Sequence, residues 1–262
     1  MENVFGMLEG TDLGNAMKKS NISFATFTCE KCGHAYKAMQ VKFKDGTMHH
    51  APCPRCEEKS RKEEEERIVQ MEADPAVILR KKLVNAQVPT KYLDYRFGNF
   101  PMQKGTLEAY QGSQSFLSSK YLDLVLLGPT GLGKTSLAVS VIRHALQKGK
   151  TARFVKEASL LDEIKGSFSK RGESSEEIVD RYSRYDVLVI DEVGLAEWSD
   201  FDATKMTTLI DNRNSYLRKT VLMGNLTEAG YRAHFNDQCI SRLHQDADFY
   251  ILKGQDLRYS ER

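Results

Sequence analysis

Three stretches of mostly apolar residues punctuate the second half of the chain, at 121–127, 187–190 and 220–224. Each is short, β-branched or leucine-rich, and bounded by polar or glycine positions, so each reads as a buried strand. A shorter strand is expected at 153–155. After the first of these strands, Leu137, Val141, Ile142, Ala145 and Leu146 recur at helical spacing, and Gly149 supplies the stop. A further helical segment is expected at 158–170.

The first third is patterned differently. Ala38, Gln40, Lys42 and Lys44 alternate with Met39, Val41 and Phe43, and Asp45-Gly46 follows as a tight turn, which predicts a hairpin. From 57 to 71 the chain is dense in charge. Glu57 with Arg61, Glu58 with Lys62, and Glu63 with Arg67 place acid before base at i, i+4, the pattern of a solvated helix. Such a helix serves as a spacer or as a short coiled coil with a partner. Asp74-Pro75 should interrupt it, because a residue before proline is driven out of the helical region. A second helical stretch, 76–85, leads to Pro89 and to Tyr92, Tyr95, Phe97 and Phe100, an aromatic strap that should pack on the domain after it.

Composition narrows the class. With 40% hydrophobic and 28% charged residues the chain is an ordinary globular sequence, and 262 residues allow one large domain plus a small module. No apolar run approaches the ~18 residues a membrane span needs, and the first 28 residues lack an apolar signal core, so a cytoplasmic protein without membrane contact is expected. A formal net charge of +2 leaves nucleic-acid binding to local patches or to several copies acting together.

Four of the five cysteines fall in two pairs, Cys29-Glu30-Lys31-Cys32 and Cys53-Pro54-Arg55-Cys56. Two CxxC knuckles brought together by a hairpin complete a tetrahedral thiolate site, so a structural Zn²⁺ in a zinc ribbon is expected. Two disulfides are the alternative, disfavoured in a reducing compartment. His34, His49 or His50 could also replace one sulfur. With four thiolates around it the zinc cluster carries −2, which brings the loaded chain near neutrality. Cys239 stands apart and reads as a small core residue.

The strand at 121–127 runs into Gly128-Pro129-Thr130-Gly131-Leu132-Gly133-Lys134-Thr135, which fits G-x-x-x-x-G-K-[ST] at every fixed position and opens a helix. Glycines let backbone N–H groups converge on phosphate oxygens, and the helix N-terminus adds its positive end. Lys134 is then the group for the β- and γ-phosphates of ATP, and the Thr135 hydroxyl a ligand for Mg²⁺. The strand at 187–190 ends in Asp191-Glu192. Asp191 is placed as the second Mg²⁺ partner, and Glu192 as the base that polarises an attacking water. The strand at 220–224 ends at Asn225, which either hydrogen-bonds the γ-phosphate or caps the helix after it.

These motifs in this order resemble the AAA+ ATPases of the DnaC/IstB type, the replicative helicase loaders and their transposition-associated relatives. The resemblance covers roughly 85–262. It includes Val88-Pro89-Thr90-Lys91-Tyr92 with Phe97-Gly98-Asn99-Phe100 as the entering strap, and Ile210-Asp211-Asn212-Arg213 as the helix after Asp191-Glu192. It implies an α/β P-loop fold with a parallel sheet flanked by helices and without a C-terminal helical lid. Together with the cysteine pairs and the charged stretch, it gives three parts: a zinc ribbon at 1–56, which is not general in the family, a charged helical linker at 57–84 and an AAA+ domain at 85–262.

The resemblance further implies that Asn225 is sensor 1 and that Arg242, in Ser241-Arg242-Leu243, is an arginine finger for a neighbouring subunit; a surface ion pair is the plainer role for Arg242. Many relatives have Asp-Asp-x-Gly where this chain has Asp191-Glu192-Val193-Gly194, a departure that favours hydrolysis. Lys165, Phe168, Lys170 and Arg171 match an insertion that lines a single-strand channel in helicase loaders, although a solvated helix end explains them equally well. The implied protein is an ATP-dependent loader, of phage or prophage type. It would assemble as a homo-oligomer and place a DnaB-type replicative helicase on single-stranded DNA, with its N-terminal part gripping the helicase. An IstB-like ATPase that assists a transposase on duplex DNA is the second reading. A scaffold that never turns over ATP is disfavoured by Glu192.

Overall fold

A computed structural model describes residues 22–42, 48–167, 172–195, 197–235, 239–241 and 247–257. The chain divides after Asp74 into two compact units.

The first unit contains a three-stranded antiparallel sheet, β1 (Ile22–Thr28), β2 (Ala35–Lys42) and β3 (Met48–His50), in the order β1-β2-β3. The sequence pattern identifies β2 but misses β1, which pairs along its whole length with β2 from Ile22↔Val41 to Thr28↔Ala35. Asp45 and Gly46, the expected turn, and Phe43 and Lys44 lie outside the described residues. Alternation of burial along β2 holds from Ala35 to Met39 and fades at Gln40 and Val41, which are both half-buried. Tyr36 and Ala38 turn inward, packed with Phe27 and Cys53, while Met39 is 39% exposed opposite Phe24, itself 49% exposed.

Helix α1 (Pro54–Ala73) starts inside the second CxxC, with Pro54 in the first turn where no N–H is required, and it buries no residue. Glu58 meets Lys62 at 2.8 Å as the spacing predicts. Arg61, however, reaches Glu65, and Arg67 closes on Glu64 rather than Glu63. On a fully solvated helix i+3 and i+4 partners are nearly equivalent, so sequence does not select among them. The helix ends at Asp74 in an extended conformation, ahead of Pro75.

The second unit begins at α2 (Pro75–Asn85), not after it. Leu83 is fully buried, and the Ala86 carbonyl accepts a 2.7 Å hydrogen bond from Phe154 N–H, which ties the end of this helix to the sheet that the sequence reading had put beyond it. The strap follows, then α3 (Leu107–Ser115), β4 (Asp123–Leu127), α4 (Lys134–Gln147), β5 (Ala152–Lys156), α5 (Glu157–Gly166), α6 (Ser175–Arg184), β6 (Val187–Asp191), α7 (Asp200–Ser215), β7 (Lys219–Gly224), α8 (Glu228–His234) and β8 (Ala247–Ile251). The five strands form one parallel sheet in the order β5-β6-β7-β4-β8.

The continuous apolar runs have a direct cause: helices cover both faces of the sheet. Leu124 and Leu126 of β4, Val187 and Val189 of β6, and Val221 and Met223 of β7 belong to one core with α2, the strap and α4. Val125 and Leu127, Leu188 and Ile190, and Leu222 belong to a second core with α5 to α8. In the strap, Phe100 is buried and Tyr92, Tyr95 and Phe97 pack on the first core. Arg143 of α4 fastens the strap by donating to the carbonyls of Leu93 and Tyr95.

A buried arginine joins three elements on the opposite core. Arg213 of α7 is fully enclosed, and its guanidinium donates to Tyr182 O and Tyr185 O at the end of α6, and to Lys219 O and Thr220 Oγ1 at the start of β7. Among the described residues, no helix is long and apolar enough to cross a membrane.

Candidate functional site

In the first unit the chain turns sharply at the first CxxC. Gly33 N–H returns to Cys29 O at 2.8 Å and Cys29 N–H donates to His34 O at 2.9 Å, with Gly33 at a φ of 68°. This knuckle presents Cys29 and Cys32 to the same side as Cys53 and Cys56. The four sulfurs lie within 4.8 Å of one another, with Cys29 to Cys56 at 3.6 Å and Cys32 to Cys53 at 3.7 Å. A tetrahedron with metal–sulfur bonds of ~2.3 Å has edges of ~3.8 Å, so the donor set fits zinc in both chemistry and spacing. Backbone hydrogen bonding from Cys32 holds the Cys29 thiol down at about 7, toward the thiolate that a metal takes. His50 is not part of this set: it stacks on Phe27 at 4.0 Å and its Nδ1 faces Ala51 O and Tyr36 Oη.

In the second unit the strand order builds the nucleotide site. All five strands are parallel, so their carboxyl ends share one edge, and β7 lies between β4 and β6. That edge carries the P-loop after β4, Asn225 after β7, and Asp191-Glu192 at the tip of β6. Gly133 caps α4 with a φ of 84°, and a Cβ there would fall 2.6 Å from Phe100 Cε2 of the strap, so only glycine serves both the turn and the close approach. Lys134 sits in the curve of the loop. Its Nζ donates to Gly128 O at 2.6 Å, Pro129 O at 2.7 Å and Asn225 Oδ1 at 3.0 Å.

Asp191 is two strands from the P-loop. Burial pushes its carboxyl above the usual carboxylate range, the Glu192 N–H it accepts and the charges of Lys156 and Lys134 oppose that shift, and the Glu192 charge adds to it. A half-buried carboxylate of this kind suits a divalent cation, which supplies the charge that a proton otherwise would. Thr135, on the first turn of α4, and Asp191 are therefore the chain's own candidates to hold Mg²⁺.

Glu192 adopts a φ of 59°, uncommon for a residue with a side chain and costing on the order of 1 kcal/mol. Its carboxylate meets Lys156 Nζ at 2.8 Å. Lys156 was not legible as a site residue: it faces Asp191 in the β5–β6 register, and that neighbour relation exists only once the strand order is known.

The expected DNA-contact group is only partly described. Lys165 Nζ is held at 2.8 Å by Asp202, a nearly buried carboxylate that also caps α7 through Ser199. Phe168, Lys170 and Arg171 lie outside the described residues, as does Arg242. Trp198, the single tryptophan, stands edge-on to His234 at 4.4 Å and to Phe235 at 5.0 Å.

Comparison with known proteins gives these observations a family. Replicative helicase loader DnaC of Escherichia coli (strain K12) is 26% identical over 164 residues, 61% of this chain and 67% of that one. DnaC of Buchnera aphidicola is 25% identical over 173 residues, 64% of this chain and 70% of that one. An insertion-sequence ATP-binding protein of Bacillus thuringiensis is 31% identical over 156 residues, 56% of this chain and 61% of its own. Among solved structures, a crystal structure of the DnaC helicase loader superimposes with a TM-score of 0.56 at 18% identity, over 63% of this chain and all of that one. AMPPCP-bound DnaA from Aquifex aeolicus gives 0.57 at 17% identity, over 66% of this chain and 54% of that one, so the chain spans about half of the DnaA molecule. These likenesses place the fold. The family of IstB-like ATP-binding proteins matches residues 64–259, three quarters of the sequence, and the chain belongs to it as an AAA+ ATPase of the DnaC/IstB type.

Proposed function

We propose that this protein is an ATP-driven loader of a DnaB-type replicative helicase onto single-stranded DNA, acting as a homo-oligomer with ATP hydrolysed at subunit junctions. The observation that carries the ATPase half is the meeting of Lys134 Nζ with Asn225 Oδ1 at 3.0 Å, beside the strand that ends in Asp191-Glu192. The cation and the amide meet in the P-loop, and Asp191 and Glu192 end the strand next to β7 at the same sheet edge, which supports this reading. Lys134 neutralises the β,γ-oxygens, Asn225 orients the γ-phosphate or the water, and Glu192 accepts the water's proton. Thr135 and Asp191 would hold Mg²⁺, which would supply further neutralisation of phosphate charge.

The loading half rests on similarity to proteins named replicative helicase loader. In this reading the zinc ribbon and α1 grip the helicase, and the segment 165–171 contacts the single strand. Arg242 completes a neighbour's site. The test uses full-length chain: capture of a replicative helicase in the presence of ATP, and transfer of that helicase to single-stranded circles. Capture of a transposase, with preference for duplex DNA, would replace the loader reading with the second one, which the 31% identity to an insertion-sequence protein supports. The junction model has its own test. Lys134→Ala and Arg242→Ala subunits, each inactive alone, should regain ATPase activity when mixed, because some junctions then pair a sound site with a sound finger.

A further inference from the structure

The Glu157 side chain does not do what its sequence position indicates. As the first residue of α5 it reads as an acid placed near a helix N-terminus for the helix dipole. Its side chain instead runs inward: Glu157 is 2% exposed. One carboxylate oxygen, Oε2, accepts a 3.0 Å hydrogen bond from Gly194 N–H, and the other, Oε1, lies 3.2 Å from His234 Nε2. Gly194 belongs to the turn that leaves β6 immediately after Glu192, and His234 ends α8, the helix that follows Asn225. One buried carboxylate therefore joins the start of α5 to the Glu192 turn and to the Asn225 helix.

We propose that Glu157 is a positioning residue for ATP hydrolysis, fixing the turn that aims the Glu192 carboxylate. The proposal rests on the reading of Glu192 as the base. The turn needs external support, since it holds Glu192, a residue with a side chain, at a φ of 59°, while Gly194 takes its φ of 82° without strain. One side is held by the sheet, where Val193 N–H donates to Met223 O at 3.0 Å, and where a Cβ on Gly194 would strike Leu226 Cδ1 at 2.3 Å. Glu157 supplies the other side, through the next backbone N–H. The preceding residue, Lys156, holds the Glu192 carboxylate itself at 2.8 Å. Adjacent side chains thus hold the two ends of one short turn, Glu157 the Gly194 backbone and Lys156 the Glu192 carboxylate. A general base misplaced by ~1 Å can lose up to about a hundredfold in rate with little change in binding.

The experiment compares Glu157→Met, of similar length without an acceptor, with Glu157→Gln, which retains an oxygen for Gly194 N–H. Expected for Glu157→Met is a tenfold to hundredfold fall in kcat with the KM for ATP within about twofold of wild type, and for Glu157→Gln recovery to within about threefold. In protein without nucleotide, the emission of Trp198, which contacts His234, should change in Glu157→Met and return in Glu157→Gln. If Glu157→Met does not fold, Glu157→Asp, too short to reach Gly194, takes its place with the same expectation. Unchanged kcat in the acceptor-free variant overturns the proposal, as does a loss shared equally by kcat, KM and thermal stability. Glu192→Gln, run beside these, separates the two readings: if it turns over ATP normally, the base assignment itself has failed.

Discussion

Replacing Arg213 by methionine should cost the second unit about 3 kcal/mol. Methionine fills the place of the apolar stem, and what goes is the guanidinium with its donor fork. Tyr182 O at 2.8 Å and Thr220 Oγ1 at 3.0 Å are buried with it, while Tyr185 O and Lys219 O are only partly buried and can recruit water. The Tyr182 carbonyl lies in the last turn of α6, where no intrahelical N–H is available. Two buried acceptors left without a donor cost about 1–3 kcal/mol each, and relief from burying a guanidinium offsets part of that. Burial lowers the Arg213 pKa to about 9, so the group is still charged at neutral pH and is paired by dipoles rather than by an anion in hydrogen-bond contact. For a unit of roughly 190 residues the loss is a Tm drop of about 6–12 °C. Trp198 is the only tryptophan and reports this unit alone, so urea and thermal unfolding followed by its fluorescence give the number directly. Arg213→Lys should recover less than half of the loss, because an ammonium cannot reach the acceptors at the end of α6 and at the start of β7 at once. A loss below about 1 kcal/mol in Arg213→Met would show that the carbonyls find other donors, and the clamp described above would be wrong.

Lys165→Met should lower stability at pH 7 by about 1 kcal/mol. Burial raises the Asp202 carboxyl, but hydrogen bonds from Lys165 and Ser199 outweigh it and leave the group below the usual range; its contribution is therefore present above the unfolded value and lost as acid protonates it, so the difference between variant and wild type should narrow in acid-unfolding curves as the pH falls below the ordinary carboxylate range. Cys53→Ser should abolish binding of one zinc per chain, measured by elemental analysis of protein purified without chelator, and leave the Trp198 unfolding transition unmoved. Lys134→Ala should eliminate ATP binding in a fluorescent-nucleotide titration, whereas Glu192→Gln should bind ATP and hydrolyse it at least tenfold more slowly.

What sequence reveals here depends on how local the cause is. The P-loop is legible because its geometry is encoded in eight consecutive residues, and the zinc ligands because each knuckle spans four. Strands β4, β6 and β7 are legible because burial on both faces makes Leu124–Leu127, Val187–Ile190 and Val221–Met223 continuous apolar runs. Strand β1 escapes because its apolar residues do not keep to one side: Phe27 faces the cysteines while Phe24 is exposed. The roles of Glu157, Lys156 and Arg213 escape for another reason. Each is a charged residue near the end of a helix or strand, where solvent is the default partner, and each is turned to a specific use by elements 20 to 80 residues away that meet it only in the folded sheet.

The position of β8 bears on how the protein is made. The P-loop follows β4, yet the outer neighbour of β4 is the last strand, paired from Asp123↔Ala247 to Leu127↔Ile251. Beyond it, Leu252 N–H donates to Leu127 O at 2.8 Å, Gln255 and Gln103 exchange two hydrogen bonds, and Leu257 N–H reaches Gly131 O at 2.9 Å. A nascent chain on the ribosome therefore carries its complete phosphate loop long before the wall that braces it. Nucleotide affinity should therefore appear once β8 has been made rather than with the loop, and until then the free edge of β4 exposes backbone groups to any passing strand. Proteins truncated before residue 247 should accumulate as chaperone clients that hold an intact P-loop sequence and bind no ATP.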